Sequence, residues 1–124
     1  MQSENGDLTD KCVLVVEDEY LLAEDLRRAL AQSGVAVVGP FASVAQAFCA
    51  IDAHAKLDFA LLDIRLRDNQ LVYPVAEKLI QRQIPFAFTT GYESSTVFNK
   101  YRDVAHFEKP YDCRTIVKFL RRRL

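Results

Sequence analysis

A chain of 124 residues, half of them hydrophobic and 27% charged, makes one domain with one sizeable core, which excludes disorder and fibrous structure. A formal net charge of −1 gives no overall field that would draw the chain to nucleic acid or to an acidic membrane surface, so any partner is recognised locally. No apolar stretch approaches membrane-spanning length and no signal-peptide pattern opens the chain, while Cys12, Cys49 and Cys113 are widely spaced and read as free thiols of a reducing compartment. The expected location is cytoplasmic.

Residues 1–10 are polar and aperiodic and read as a flexible tail, leaving a domain over 11–124. The first strand, residues 11–17, holds the buried run Val13-Leu14-Val15-Val16 and delivers Glu17 and Asp18 to a strand-to-helix turn. Leu22, Leu26, Ala29 and Leu30 then recur at one-face helical spacing, and Gly34 marks the helix end. A second strand, 35–38, is expected to break at Gly39-Pro40. Ser43, with Gln46 three residues on, predicts a capping box for a helix bearing Val44, Ala47, Phe48 and Ile51.

The unbroken apolar stretch 57–63 predicts a third strand, buried on both faces at the sheet centre and ending at Asp63. A polar and charged loop, 64–71, leads to Pro74, which suits the first turn of a helix carrying Val75, Ala76, Leu79 and Ile80. Residues 86–90 make a fourth strand ending in Thr89 and Thr90, and a weakly amphipathic helix is expected over about 93–101. A short strand over 104–107 ends at Lys109-Pro110, and Asp112 can cap a last helix bearing Ile116, Val117 and Leu120. Five alternating strand-helix units favour an α/β fold, a doubly wound parallel sheet in the order 2-1-3-4-5.

In such a sheet ligands bind beyond the carboxyl ends of the strands. Those ends carry Glu17 and Asp18, Asp63, Thr90 and Lys109. Three carboxylates packed together raise one another's pKa unless a hard cation neutralises them, and oxygen ligands of this kind suit Mg²⁺. A carboxylate beside Mg²⁺ and a lysine can accept a phosphoryl group, because both cations spread the charge that repels an anionic nucleophile.

With these residues in place the chain resembles, over 11–124, a receiver domain of the two-component response regulators, whose fold is flavodoxin-like. Glu17-Asp18 resembles the acidic pair of that family, and Lys109-Pro110 its lysine and following proline. Phe88-Thr89-Thr90-Gly91-Tyr92 is similar to the Phe-x-Thr-Gly-Tyr variant found in single-domain and stress-response receivers, and Tyr73-Pro74-Val75-Ala76 looks like the same subgroup. In that register Thr90, not Thr89, is the switch hydroxyl.

The resemblance implies Mg-dependent phosphorylation of Asp63 by a sensor histidine kinase or a histidine phosphotransfer protein. The metal ligands it implies are Glu17, Asp18, Asp63 and the backbone carbonyl of Arg65. The readout is a downstream protein partner, met on the face of the fourth helix, fifth strand and fifth helix, with a homodimer left open. Neither nucleic acid nor membrane is among the implied partners. Arg65 and Tyr92 are expected to border the phosphoryl group and slow attack by water. Two features depart from the family pattern. The segment after Asp63 is Ile64-Arg65-Leu66-Arg67-Asp68-Asn69, without the usual Met-Pro, and His106, with Phe107 beside it, stands where an aromatic switch residue is usual.

Taken singly, these residues are ordinary: helix-start acids, a strand threonine, a surface lysine. Their joint placement carries the reading. His106 has no second histidine or cysteine at ligand spacing and reads as a strand residue, and Arg121-Arg122-Arg123 complements the carboxyl end of the last helix. A hydrolase with an aspartyl-phosphate intermediate is a second class, but it calls for Asp-x-Asp on the first strand, where Glu17-Asp18-Glu19 stands. A third is a pseudo-receiver, an unphosphorylated docking module. The expected role is a switch rather than an enzyme.

Overall fold

The computed structural model of the chain describes residues 7–91 and 99–124. Five parallel strands, β1 (Cys12–Val16), β2 (Ala36–Phe41), β3 (Phe59–Asp63), β4 (Phe86–Thr90) and β5 (His106–Glu108), form one sheet in the order β2-β1-β3-β4-β5. Among the described residues, the α-helices are α1 (Tyr20–Gln32), α2 (Val44–Ala53), α3 (Tyr73–Gln81) and α4 (Cys113–Arg123). This is the flavodoxin-like arrangement and strand order expected from the sequence. Of the weak helix expected over 93–101, residues 93–98 lie outside the described residues, as does Tyr92, and the end is a 3-10 turn at Asn99–Tyr101. The last helix, expected as the fifth, is therefore α4.

Strand alternation sorts the core onto two faces. Val13 and Val15 of β1 and Phe59 and Leu61 of β3 meet Leu26 and Leu30 of α1 and Ile116, Val117 and Leu120 of α4. Leu14, Val16, Ala60 and Leu62 meet Ala47 and Ile51 of α2 and Val75, Ala76 and Leu79 of α3. Every residue of β3 is buried, so its last one, Asp63, stands on a rigid central support. The caps are those the sequence announces. Ser43 accepts from the Gln46 N–H at 3.2 Å, Asp112 accepts from the Arg114 N–H at 2.9 Å, and Pro74 sits in the first turn of α3. The Gln46 amide oxygen accepts from the N–H of Ala42, one residue earlier than a capping box requires.

Two expectations change. Gly39-Pro40 does not break β2; it forms a bulge within it. Register passes from Leu14 beside Val38 to Val16 beside Phe41, so two residues of β2 oppose the single Val15. Gly39 has φ +110°, and a Cβ there would lie 2.6 Å from the Val15 carbonyl, so only glycine fits. Beyond the bulge, the Phe41 carbonyl accepts from the Glu17 N–H at 2.9 Å and pins the residue that follows β1.

The second change is at the start of the chain, where residues 7–10, read as part of a polar tail, pack on the domain. Leu8 is 1% exposed and belongs to the core face of α1 and α4; the Asp10 N–H donates to the Gly34 carbonyl. A single apolar residue in a polar stretch has no period to reveal it. Leu8→Ala is expected to cost about 2–4 kcal/mol in urea unfolding. A variant as stable as wild type would return these residues to a tail.

Candidate functional site

The carboxyl ends of the strands bring the chemistry together. Asp63 ends β3 in register beside Thr89 of β4, and the Lys109 N–H donates to the Thr90 carbonyl at 2.7 Å, fixing where the lysine side chain starts. From there the Lys109 ammonium reaches three carboxylates: Asp63 Oδ2 at 2.9 Å, Glu17 Oε2 at 3.2 Å and Glu19 Oε1 at 2.7 Å. An ammonium has three donors, and all three are engaged. Glu17 Oε2 also accepts from the Glu19 N–H at 3.0 Å, while Glu17 Oε1 is buried with no partner.

Burial sets the electrostatics. Glu17 and Asp63 are each 4% exposed. Burial, reinforced by the charge of Asp63, pushes the Glu17 carboxyl up to about 8. Burial also raises Asp63, with hydrogen bonding and charge from Lys109 working against it. For Lys109, burial acts to lower the pKa, but hydrogen bonds to Glu19 and Asp63 and the charges of Asp63 and Glu17 outweigh it and hold the amine cationic.

Asp18 completes the cluster, and Glu17, Asp18 and Asp63 each bring a carboxylate oxygen within 4.8 Å of the others. The donor set fits a hard divalent cation of the Mg²⁺ kind, since all three ligands are oxygens, the charge is in excess, and the orphaned Glu17 Oε1 needs a partner.

The segment after Asp63 is more ordered than its polarity suggests. Ile64 and Leu66 are buried in the α2–α3 face, and Arg65 bridges Leu71 in antiparallel fashion. The Leu66 N–H donates to the Gln70 carbonyl at 2.7 Å, and the Val72 N–H to the Ile64 carbonyl at 2.9 Å. Asp68 and Asn69 turn the chain with φ of 59° and 58°, the left-handed region those residues tolerate. The polar and charged loop expected here thus folds as a tight hairpin. It places Arg67 beside Asp18, with Nη2 donating to the Asp18 carbonyl at 3.3 Å and Nε 3.9 Å from Oδ2.

The structure therefore brings Glu17, Asp18, Asp63 and Lys109 to one point. Thr90 joins them through its backbone, while its hydroxyl donates to the Gly91 carbonyl at 3.3 Å. Arg65 is exposed, and Tyr92, expected beside it, lies outside the described residues. His106 and Phe107 face opposite ways. The His106 ring lies 5.6 Å from Phe88, on the Thr90 side of the sheet, with a buried and unpartnered Nε2; Phe107 lies edge-on to Phe119 of α4 at 5.2 Å. Sequence reasoning missed Glu19 and Arg67. The run of three acids, Glu17 to Glu19, was the one signal for the first, and nothing local signalled the second.

No family model and no curated protein matches the chain. Solved structures do. The chain is similar to SdrG from Sphingomonas melonis Fr1, at 32% identity over 99% of this chain and 100% of that one, with a TM-score of 0.79. It is similar to the BeF3-activated conformation of SdrG from Pseudomonas melonis Fr1, at 35% identity over 90% of this chain and 94% of that one, TM-score 0.75. It is also similar to the receiver domain of the response regulator PhyR from Erythrobacter litoralis, at 25% identity over 93% and 90%, TM-score 0.79. Fold, site and this likeness define one class, and the chain belongs to the receiver domains of two-component response regulators.

The raised Glu17 carboxyl has a consequence for stability. Between its ordinary 4.5 and about 8, the folded protein keeps a proton that the unfolded chain releases, so stability falls as pH rises through that window. In chelator, the melting temperature is expected to drop by several degrees from about pH 5 to about pH 8, and Mg²⁺ to restore more at the upper end, where it competes with fewer protons. A flat profile, or an equal Mg²⁺ gain at both ends, would contradict the assignment of Glu17.

Proposed function

We propose that this receiver domain is a phosphoacceptor switch, in which Asp63 takes a phosphoryl group from a phosphohistidine on a sensor histidine kinase or a histidine phosphotransfer protein. What supports the reading is the pairing of Asp63 Oδ2 with the Lys109 ammonium at 2.9 Å inside a cluster of three carboxylates at the end of the central strand. An Asp63 carboxylate oxygen forms the new P–O bond as the donor's P–N bond breaks, and the electron pair leaves on the imidazole nitrogen.

Lys109, already cationic and aimed at Asp63, lays its charge against the phosphoryl oxygens as they arrive. Glu17, Asp18, Asp63 and the Arg65 carbonyl would hold Mg²⁺, which when bound neutralises the acids and screens the entering phosphoryl group. The Thr90 hydroxyl, which donates to the Gly91 carbonyl at the end of β4, exchanges that acceptor for a phosphoryl oxygen. That motion opens space on the His106 side of β5, while Phe107 couples β5 to α4.

The readout is a protein partner on the face of the segment after β4, β5 and α4, the same face serving a homodimer as the alternative. The BeF3-activated form of SdrG supports a switch of this kind, because trifluoroberyllate has the shape and charge of a phosphoryl group. No helix among the described residues is long and apolar enough to cross a membrane, and the proposed setting is the cytoplasm. The chemistry is confined to the protein's own carboxylate, which makes the domain a switch rather than an enzyme.

Incubation with Mg²⁺ and acetyl phosphate, followed by intact-mass measurement, is expected to add one phosphoryl group to wild type. Asp63→Asn, nearly isosteric but a poor nucleophile, should add none and keep its native circular dichroism. An adduct on the variant would overturn the site, and a wild type left unmodified by every donor would favour the unphosphorylated docking module.

A further inference from the structure

Glu19 stands at the N-cap position of α1, yet its side chain makes no cap hydrogen bond. Its N–H is held by Glu17 Oε2, and its carboxylate instead receives the shortest of the three Lys109 contacts, 2.7 Å. Those three contacts exhaust the ammonium's donors, so a phosphoryl oxygen arriving on Asp63 can be bonded only if one carboxylate lets go. The candidates differ sharply in what release costs. The Glu17 and Asp63 side chains are 2% and 6% exposed, so an oxygen released from Lys109 there loses a hydrogen bond that water cannot replace. The Glu19 side chain is 62% exposed and its carboxylate returns to water.

We propose that Glu19 is a positioning residue that holds the third donor of Lys109 in the unphosphorylated protein and surrenders it to the phosphoryl group. This role rests on the phosphoacceptor reading of Asp63. Glu19 keeps Lys109 saturated and aimed while the site waits, and the exchange sets a toll on phosphoryl entry that the phosphorylated state no longer carries. Glu19 therefore slows uptake and leaves decay alone, because Lys109 stays on the phosphoryl oxygens both in the aspartyl phosphate and in the transition state for its hydrolysis. A residue that merely supported the fold would not separate the two rates.

The test compares wild type, Glu19→Gln and Glu24→Gln. The last removes the same charge from the same helix, but its carboxylate pairs with Arg27 and Arg28 rather than Lys109. Uptake is followed with acetyl phosphate in saturating Mg²⁺, and decay after the donor is removed. Glu19→Gln is expected to take up the phosphoryl group about two- to fivefold faster with an unchanged decay constant, the size an exposed ion pair allows. Glu24→Gln is expected to match wild type in both rates. A Glu19→Gln variant no faster than wild type, or an equal gain in Glu24→Gln, would overturn the role, as would a decay constant that moved with uptake. A wild type that takes up no phosphoryl group would overturn the phosphoacceptor reading itself, and the two failures are told apart by that single measurement.

Discussion

The site depends on one ammonium group facing more negative charge than it can balance. Lys109 bonds Glu17, Glu19 and Asp63, so three carboxylates share a single lysine, and Asp18 stands beside them with Arg67 Nε 3.9 Å from its Oδ2. Removing one partner from a buried ion pair is strongly destabilising, and here two of the acids are almost fully buried. The arrangement is most stable with a proton on Glu17 or a divalent cation among the acids.

The rest of the fold holds that imbalance in place. β3 presents Asp63 from a fully buried strand, the bulge at Gly39 carries β2 far enough to pin Glu17, and the Thr90 carbonyl fixes the start of Lys109. The acids Glu17 to Glu19 thus follow β1, Asp63 ends β3 and Lys109 follows β5, with the backbones of Glu17, Asp63 and Lys109 each tied to a neighbouring strand. Tyr101 packs edge-on to Phe88 of β4, stacks on Tyr73 and donates to Glu77 of α3, forming an aromatic anchor between β4 and α3.

The sequence made the sheet legible because its buried strands are long apolar runs and its helices are amphipathic and capped at Ser43 and Asp112. It made Glu17, Asp18, Asp63 and Lys109 legible because the doubly wound topology sends strand ends to one edge. What stayed hidden was set by single residues or by distance. Leu8 is one apolar residue in a polar stretch, Gly39-Pro40 signals a break and a bulge equally well, and Ile64 and Leu66 alternate with charges that disguise a hairpin. Glu19 looks like a helix-start acid until Lys109, 90 residues away, is seen to reach it. Such pairings depend on tertiary placement, which no local window contains.

The most direct test of the account is fluorine NMR of the protein with beryllium fluoride, which builds the phosphoryl mimic on the acceptor without chemistry. The account predicts bound fluorine resonances that require both Mg²⁺ and the Asp63 carboxylate. Bound resonances that persist in chelator, or in Asp63→Asn, would contradict it.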